Sequence, residues 1–253
     1  MAWAICSKPL MICILCHSVG PYHAARYRAL RQQTEQAIVL ELFPQQSAYP
    51  WLNMSQEAGL KVHTLFGNPT QVQPSARQQA EAVRRVLGDL QPNAVVSVGY
   101  SEAAMRTAAR WARQQRVVSI MMTDTWGGDK RRFFPLEWLK GLWCQSHYNA
   151  LFLSGSRSLA YFAKLGFPAN RIWRGVDVVD NDYFAQRAAI ARLNRNSLRQ
   201  QLGLPEQYFL CVARLSPEKN ILRLISAFQQ YRRQGGNWQL VIMGSGPQEE
   251  QLR

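Results

Sequence analysis

A chain of 253 residues has room for one large domain or one domain and a fraction, and 47% hydrophobic content with eight tryptophans can fill a core, which excludes a disordered chain. Thirty Lys and Arg against 16 Asp and Glu give a formal charge of +14, a field that favours phosphates, acidic lipid surfaces or nucleic acid as partners. Five cysteines, an odd number lying mostly in apolar runs, argue against a disulfide framework and for a reducing compartment, and no run approaches the ~20 apolar residues that span a bilayer.

The apolar run 10–16 reads as a first strand rather than a signal peptide, because it is short and no small-residue cleavage site closes it. Within it Cys13-x-x-Cys16 points its thiols to opposite faces and no second pair follows, so core cysteines are the better reading than a metal site. His17-Ser-Val-Gly-Pro21 is the turn, and residues 22–33 form a basic helix with Arg26, Arg28 and Arg31. This is a Rossmann-like opening. Strands are expected at 37–43 and 61–66, a helix at 75–90 that ends before Pro92, and at 94–99 an uninterrupted apolar run typical of a strand covered on both faces.

Ser101 is expected to cap a helix through Gln115, with Glu102 in its first turn where a carboxylate suits the dipole. Arg106, Arg110 and Arg113 form one stripe of that helix, a solvated face or a docking site. The strand 117–123 then ends in Asp124-Thr-Trp-Gly-Gly-Asp-Lys-Arg-Arg132, and ligands bind outside that edge of such sheets. Two roles stand open for Asp124: accepting a proton from, or orienting, a substrate hydroxyl, or capping a nearby N–H. Lys130, Arg131 and Arg132 beside Phe133, Phe134, Trp138, Leu139 and Trp143 make a basic, aromatic helix, which suits either an anionic bilayer interface or packing beneath the fold. Residues 151–153, the turn 154–156 and a helix to 165 repeat the strand, turn and helix rhythm. A basic helix at 187–202 leads through Gly203-Leu-Pro205 into the last segment.

In that segment residues 209–213 read as a short buried strand that ends in Arg214, and Ser216-Pro217 supply a helix start just before Lys219. Two cations at a strand's carboxyl end, beside open N–H groups and the positive pole of a helix, form a phosphate-binding layout. A helix with Ile221, Leu224, Ile225 and Phe228 on one face follows, then the apolar run 239–243 and the turn Gly244-Ser-Gly-Pro247. Strand, helix, strand and glycine turn make one βαβ crossover.

Ala213-Arg214-Leu-Ser-Pro-Glu-Lys219-Asn220 followed by Val241-Ile-Met-Gly-Ser-Gly-Pro247 resembles the start of the donor-binding domain of family 4 glycosyltransferases, retaining enzymes built from two Rossmann-like domains of the GT-B type. Arg171-Ile-Trp-Arg-Gly175-Val-Asp177 through Asp182-Tyr-Phe184 is similar to the segment that closes the first domain of that family, with Arg174 where an asparagine is usual. The resemblance implies an α/β fold of two doubly wound domains: an acceptor-side domain at 1–185, a connection at 186–205, and at 206–253 the opening βαβ unit of a nucleotide-sugar domain. It also implies a truncated chain with little or no activity alone, since a Rossmann-like domain needs roughly 150 residues.

In such an enzyme a sugar passes with retention from a nucleotide-diphosphate donor to an acceptor hydroxyl of a carbohydrate or lipid-linked molecule, in polysaccharide, lipopolysaccharide or glycolipid synthesis. Arg214 and Lys219 would hold the donor phosphates, with Gly244, Gly246 and Gly20 allowing backbone to approach them. Gly20, single where the family carries a pair, reads equally as a plain turn glycine. His17 and Asp124 would lie on the acceptor side, although His17 also reads as a structural residue at a strand end. No tightly bound cofactor or metal is implied by the resemblance. The implied place is the cytoplasm, resting on the inner face of the membrane through the 130–138 segment. A non-catalytic basic protein of membrane surfaces or nucleic acid is the alternative. Basic residues scattered over helices, without a nucleic-acid module, count against nucleic acid. The missing Gly-x-Gly-x-x-Gly after the first strand counts against a dinucleotide oxidoreductase.

Overall fold

The computed structural model describes residues 10–34, 36–45, 53–67, 73–128 and 131–253, and the chain divides into two compact units, Met1–Asp180 and Asn181–Arg253. Lys130 and Cys6 lie outside the described residues.

In the first unit β1 Ile12–Cys16, β2 Ala37–Glu41, β3 Lys61–Thr64, β4 Ala94–Val98, β5 Val118–Thr123, β6 Ala150–Leu153 and β7 Ile172–Arg174 form one wholly parallel sheet. Their order is β3-β2-β1-β4-β5-β6-β7. This is the doubly wound, Rossmann-like arrangement, and its order reverses between β1 and β4, so the crevice outside the carboxyl ends of those two strands is where such sheets bind ligands. Among the described residues five α-helices join the strands: α1 Pro21–Arg31, α2 Ala76–Leu90, α3 Ala103–Gln115, α4 Phe134–His147 and α5 Ser156–Lys164.

The two-residue period of a strand divides the core. Cys13 and Leu15 pack with Val83 and Leu87 of α2 and Met105 and Ala108 of α3, whereas Ile14 and Cys16 pack with Ala24 and Tyr27 of α1. The thiols of Cys13 and Cys16 therefore sit in different clusters, and burial pushes each up to about 12. A third cluster, with Met121, Cys144, Leu151, Leu153, Tyr161 and Phe162, fastens α4 and α5 to β5 and β6. Full burial of each such leucine contributes roughly 1.5–3 kcal/mol.

Helix α3 begins later than the sequence suggests. Glu102, not Ser101, takes the N-cap position with extended backbone, and its carboxylate turns to His17 instead of to the helix's own N–H groups. The basic helix expected at 187–202 is two helices, α6 Asn181–Leu193 and α7 Arg195–Gln201. Asn194 parts them, its side-chain amide donating to the Ile190 carbonyl at 3.2 Å in place of a continued helix.

The second unit carries a parallel pair, β8 Tyr208–Val212 and β9 Gln239–Met243, joined by α8 Ile221–Arg233 and followed by α9 Glu249–Leu252. Ser216-Pro217 opens only a 3-10 turn over Pro217–Lys219; Asn220 then takes left-handed backbone (φ 52°) and α8 starts at Ile221. The strands are not buried as expected: Val212 is 67% and Leu210 56% exposed, because among the described residues this unit's sheet has two strands. No helix among the described residues is long and apolar enough to cross a membrane.

Candidate functional site

At the carboxyl edge of the seven-stranded sheet the chain gathers polar groups. His17, one residue past β1, and Glu102, at the start of α3, meet across the switch point with Nδ1 and Oε1 2.9 Å apart, and each side chain is about one third exposed (33% and 31%). The His17 ring also lies 5.2 Å from the Phe43 ring, so it is held on two sides.

The turn behind His17 is fixed by Glu41, the last residue of β2, which is 1% exposed. Its carboxylate accepts from the Val19 N–H at 3.0 Å, the Ser55 hydroxyl at 2.9 Å, the Thr64 hydroxyl at 2.7 Å and the Asn53 amide at 3.2 Å. Buried polar oxygens are stable inside a fold when donors meet them in this way. One more position along the turn, buried Gly20 donates its N–H to His23 Nδ1 at 3.2 Å. Burial, and then the charge of Arg26, lowers His23 to about 4, so its ring is neutral near pH 7 and Nδ1 is free to accept. Gly20 backbone is extended (φ −95°), a conformation open to any residue, and its N–H is engaged within α1.

Asp124 is exposed just past β5 and lines a cavity of about 330 Å³ with Trp126, Ser154, Gly155 and Arg157, at the carboxyl ends of β5 and β6. Asp177, past β7, has left-handed backbone (φ 67°); burial and the negative charge of Asp124 raise its carboxyl, against the pull of Arg26.

The basic, aromatic segment is divided by the structure. Arg132 turns inward, its side chain 10% exposed, and its guanidinium donates to Glu137 at 3.2 Å, to the Tyr161 hydroxyl at 2.7 Å and to the Trp126 carbonyl at 2.7 Å. It is therefore not a free surface cation. The Tyr161 hydroxyl also bonds Glu137 and Lys140. Two cations share one carboxylate here. Burial opposes ionisation of Glu137, but the Tyr161 hydroxyl, Lys140 and Arg132 outweigh it and hold the carboxyl below its usual range. Burial lowers Lys140, and Arg132 adds to the effect against the pull of Glu137. Arg131, Phe133, Phe134 (80%) and Trp138 (58%) are exposed.

In the second unit Arg214 lies just past β8 and pairs with Glu218 (Nη2 to Oε1, 3.0 Å), while Lys219 is exposed at the end of the 3-10 turn. The Ser216 hydroxyl donates to the same Glu218 oxygen at 2.6 Å and leads the groups that hold this carboxyl low. The glycine turn after β9 is knitted to this stretch: Ala213 N–H donates to Met243, Leu215 N–H to Ser245, and Gln248 N–H to Leu215. A Cβ at Gly244 would overlap the Ala213 carbonyl oxygen, and one at Gly246 would stand 2.5 Å from that of Leu215. Both glycines are thus needed for close approach of the two turns. The structure brings Arg214, Lys219, Gly244 and Gly246 into one unit, and His17, Gly20 and Asp124 onto one sheet edge of the other. Glu41, His23 and Tyr161 were missed by sequence reasoning. The one available signal was a lone glutamate closing the apolar run Ala-Ile-Val-Leu-Glu41.

No curated protein sequence matches the chain. Among solved structures it is similar to the UDP-N-acetylglucosamine 2-epimerase from Rickettsia bellii (15% identity, TM-score 0.59), covering 96% of this chain and 64% of that one, so it spans just under two thirds of that relative. It is similar to Anabaena HepE in complex with UDP and glucose (16% identity, TM-score 0.64, 93% and 69% covered) and to the lipopolysaccharide outer core galactosyltransferase WaaB (13%, 0.55, 96% and 63%). These likenesses place the fold with GT-B proteins. The stretch that bears Arg214 and Lys219 falls within residues 194–253, and those residues match the family described as Glycosyl transferases group 1.

Proposed function

We propose that the protein takes part in glycosyl transfer, with retention, from a nucleotide-diphosphate sugar to an acceptor hydroxyl of a polysaccharide, lipopolysaccharide or glycolipid precursor. The observation that carries this reading is the paired turn of the second unit: Arg214 and Lys219 beside the glycine turn Gly244-Ser-Gly246, inside the segment that matches group 1 glycosyl transferases. UDP and UDP-sugars, bound in several of the similar structures, make a uridine donor the first to test.

In the transfer the acceptor oxygen bonds to the anomeric carbon on the same face from which the bond to the diphosphate oxygen breaks, and the hydroxyl proton leaves to the departing phosphate. Negative charge grows on the diphosphate, and Arg214 and Lys219 neutralise it. Preorganised donors of this kind are worth ~3–4 kcal/mol each in a closed, dry site, against ~0–1 kcal/mol when open to water. Arg214 is 29% exposed and Lys219 is exposed, so solvent screens both cations and each contributes toward the lower end of that range. On the acceptor side His17, oriented by Glu102, and Asp124 hold the accepting molecule at the sheet edge, and the exposed aromatics of α4 rest on the inner face of the membrane.

The test is a binding titration with UDP, GDP and ADP on the wild-type chain and on Arg214→Ala/Lys219→Ala. Saturable binding of one nucleotide that the double variant loses supports the reading. Equal binding by wild type and variant overturns the role of the two cations.

A further inference from the structure

Helices α4 and α5 flank a half-open cavity of about 790 Å³, within the range of small-molecule sites. Its lining follows one face of each helix: Phe134, Trp138 and Leu142 on α4, and Arg157, Ala160 and Lys164, at i, i+3 and i+7, on α5. Gly141 sets the spacing, since a Cβ there would stand 2.6 Å from the Leu165 carbonyl oxygen, so the helices cross closely at that point and leave the space beside it. The walls are chiefly apolar. The charges that line it are Arg132, Arg157 and Lys164 against Glu137, an excess of cation, and Glu137 is already met by Arg132 and Lys140.

Trp126 and Arg157 line both this cavity and the smaller one that contains Asp124, and the Arg157 guanidinium stands 5.0 Å over the Trp126 ring. An apolar chamber, a cation at its junction and a polar chamber beyond describe one amphiphile in sequence: hydrocarbon, anion, hydroxyl-bearing headgroup. Exposed Phe133, Phe134, Leu136 and Trp138 at the start of α4 give such a molecule an apolar approach from a bilayer.

We propose that the α4–α5 cavity binds the hydrocarbon chain of a membrane lipid whose phosphate rests on Arg157 and whose headgroup extends toward Asp124. The inference rests on the reading of a membrane-carried acceptor and gives that acceptor's chemical class. Lys164, two turns along α5 from Arg157, adds to the attractive field.

The experiment measures binding of dodecyl phosphate below its micelle concentration by tryptophan fluorescence, with inorganic phosphate and the uncharged dodecyl maltoside as comparisons. Ala160→Trp fills the chamber and Arg157→Glu inverts the junction charge; both positions are exposed, and thermal melting checks the fold of each. Saturable dodecyl phosphate binding, at least tenfold weaker for each variant and at least tenfold tighter than for either comparison ligand, is the expected result. Inorganic phosphate competing as well as dodecyl phosphate, or folded variants binding like wild type, would overturn it. Should Ala160→Trp not fold, Arg157→Glu decides alone. Nucleotide titration reads the second unit separately: lipid binding without nucleotide binding sinks the transfer reading only, and the reverse sinks the lipid site only.

Discussion

His17 and Glu102 lie 85 residues apart in sequence, yet they meet at 2.9 Å across the point where the strand order reverses. Because each is about one third exposed, the pair contributes orientation more than stability. A double-mutant cycle of His17→Ala and Glu102→Ala by urea unfolding is expected to give a coupling of about 0.2–1 kcal/mol. A coupling of 2 kcal/mol or more would mark the pair as a structural bridge instead.

Glu41 should behave in the opposite way. Its carboxylate collects the Val19 N–H and two hydroxyls in a buried place, so Glu41→Ala leaves several donors without an acceptor. The expected loss is about 3–5 kcal/mol in urea unfolding, and hydrogen exchange at Val19 should rise with it. Glu41→Gln, which keeps one acceptor oxygen but turns an NH₂ on the donors, should fall between wild type and alanine.

Acid should loosen the β1 turn through His23. Its folded value, about 4, lies below the ordinary 6.5, so between those values the unfolded chain binds the extra proton. Stability therefore rises with pH through this window, and it is lost as pH falls from about 6.5 to about 4. The loss attributable to this group is on the order of 3 kcal/mol. Unfolding free energy measured at pH 7, 5.5 and 4.5 should decline in wild type and decline less in His23→Gln.

Glu137 responds to acid with the same sign. Its carboxyl is held below the usual range, so its contribution is present above the ordinary carboxylate pKa and disappears only as pH falls beneath it. Tyr161→Phe removes the hydroxyl that bonds Glu137, Lys140 and Arg132, and should cost about 1–3 kcal/mol at pH 7. The wild-type minus variant difference is expected to hold from pH 7 to 5 and to shrink below pH 4; a difference that grows on acidification would contradict the assigned charge state.

Gly244→Ala tests the second unit without touching a charge. The added methyl group meets the Ala213 carbonyl, so the two turns must part, and the ladder bonds through Ala213 and Leu215 must weaken. Nucleotide affinity should fall at least tenfold, while the circular dichroism contributed by the larger first unit stays near wild type.

The parallel strands, their apolar runs and most helices could be read from local pattern, since β2, β4 and the face of α2 carry their periods in consecutive residues. Boundaries went astray where a side chain chose a distant or competing partner: Glu102 leaves the cap for His17, and Asn194 breaks a helix by bonding Ile190. The exposure of β8 could not be read from Tyr-Phe-Leu-Cys-Val, because an apolar run states what a strand can bury and not what is present to cover it. The nearness of candidate residues was legible where one turn holds several of them, as with Arg214 and Lys219. It was not where tertiary packing assembles it: no local pattern brings Asn53, Ser55 and Thr64 to Glu41, or turns Arg132 inward to Tyr161.

The uncovered pair β8 and β9 has a colloidal consequence. Leu210, Val212 and Met243 present apolar side chains to water on a two-stranded ribbon whose outer edges carry unbonded ladder groups among the described residues. Such an edge recruits any similar strand, and the nearest similar strand in a concentrated solution is the same one in another molecule. The handling of this protein is thus set by its smaller unit: self-association should climb with concentration, and a lysine at Val212, on the ribbon's open face, should slow it where added salt, which screens the +14 charge that keeps molecules apart, should hasten it.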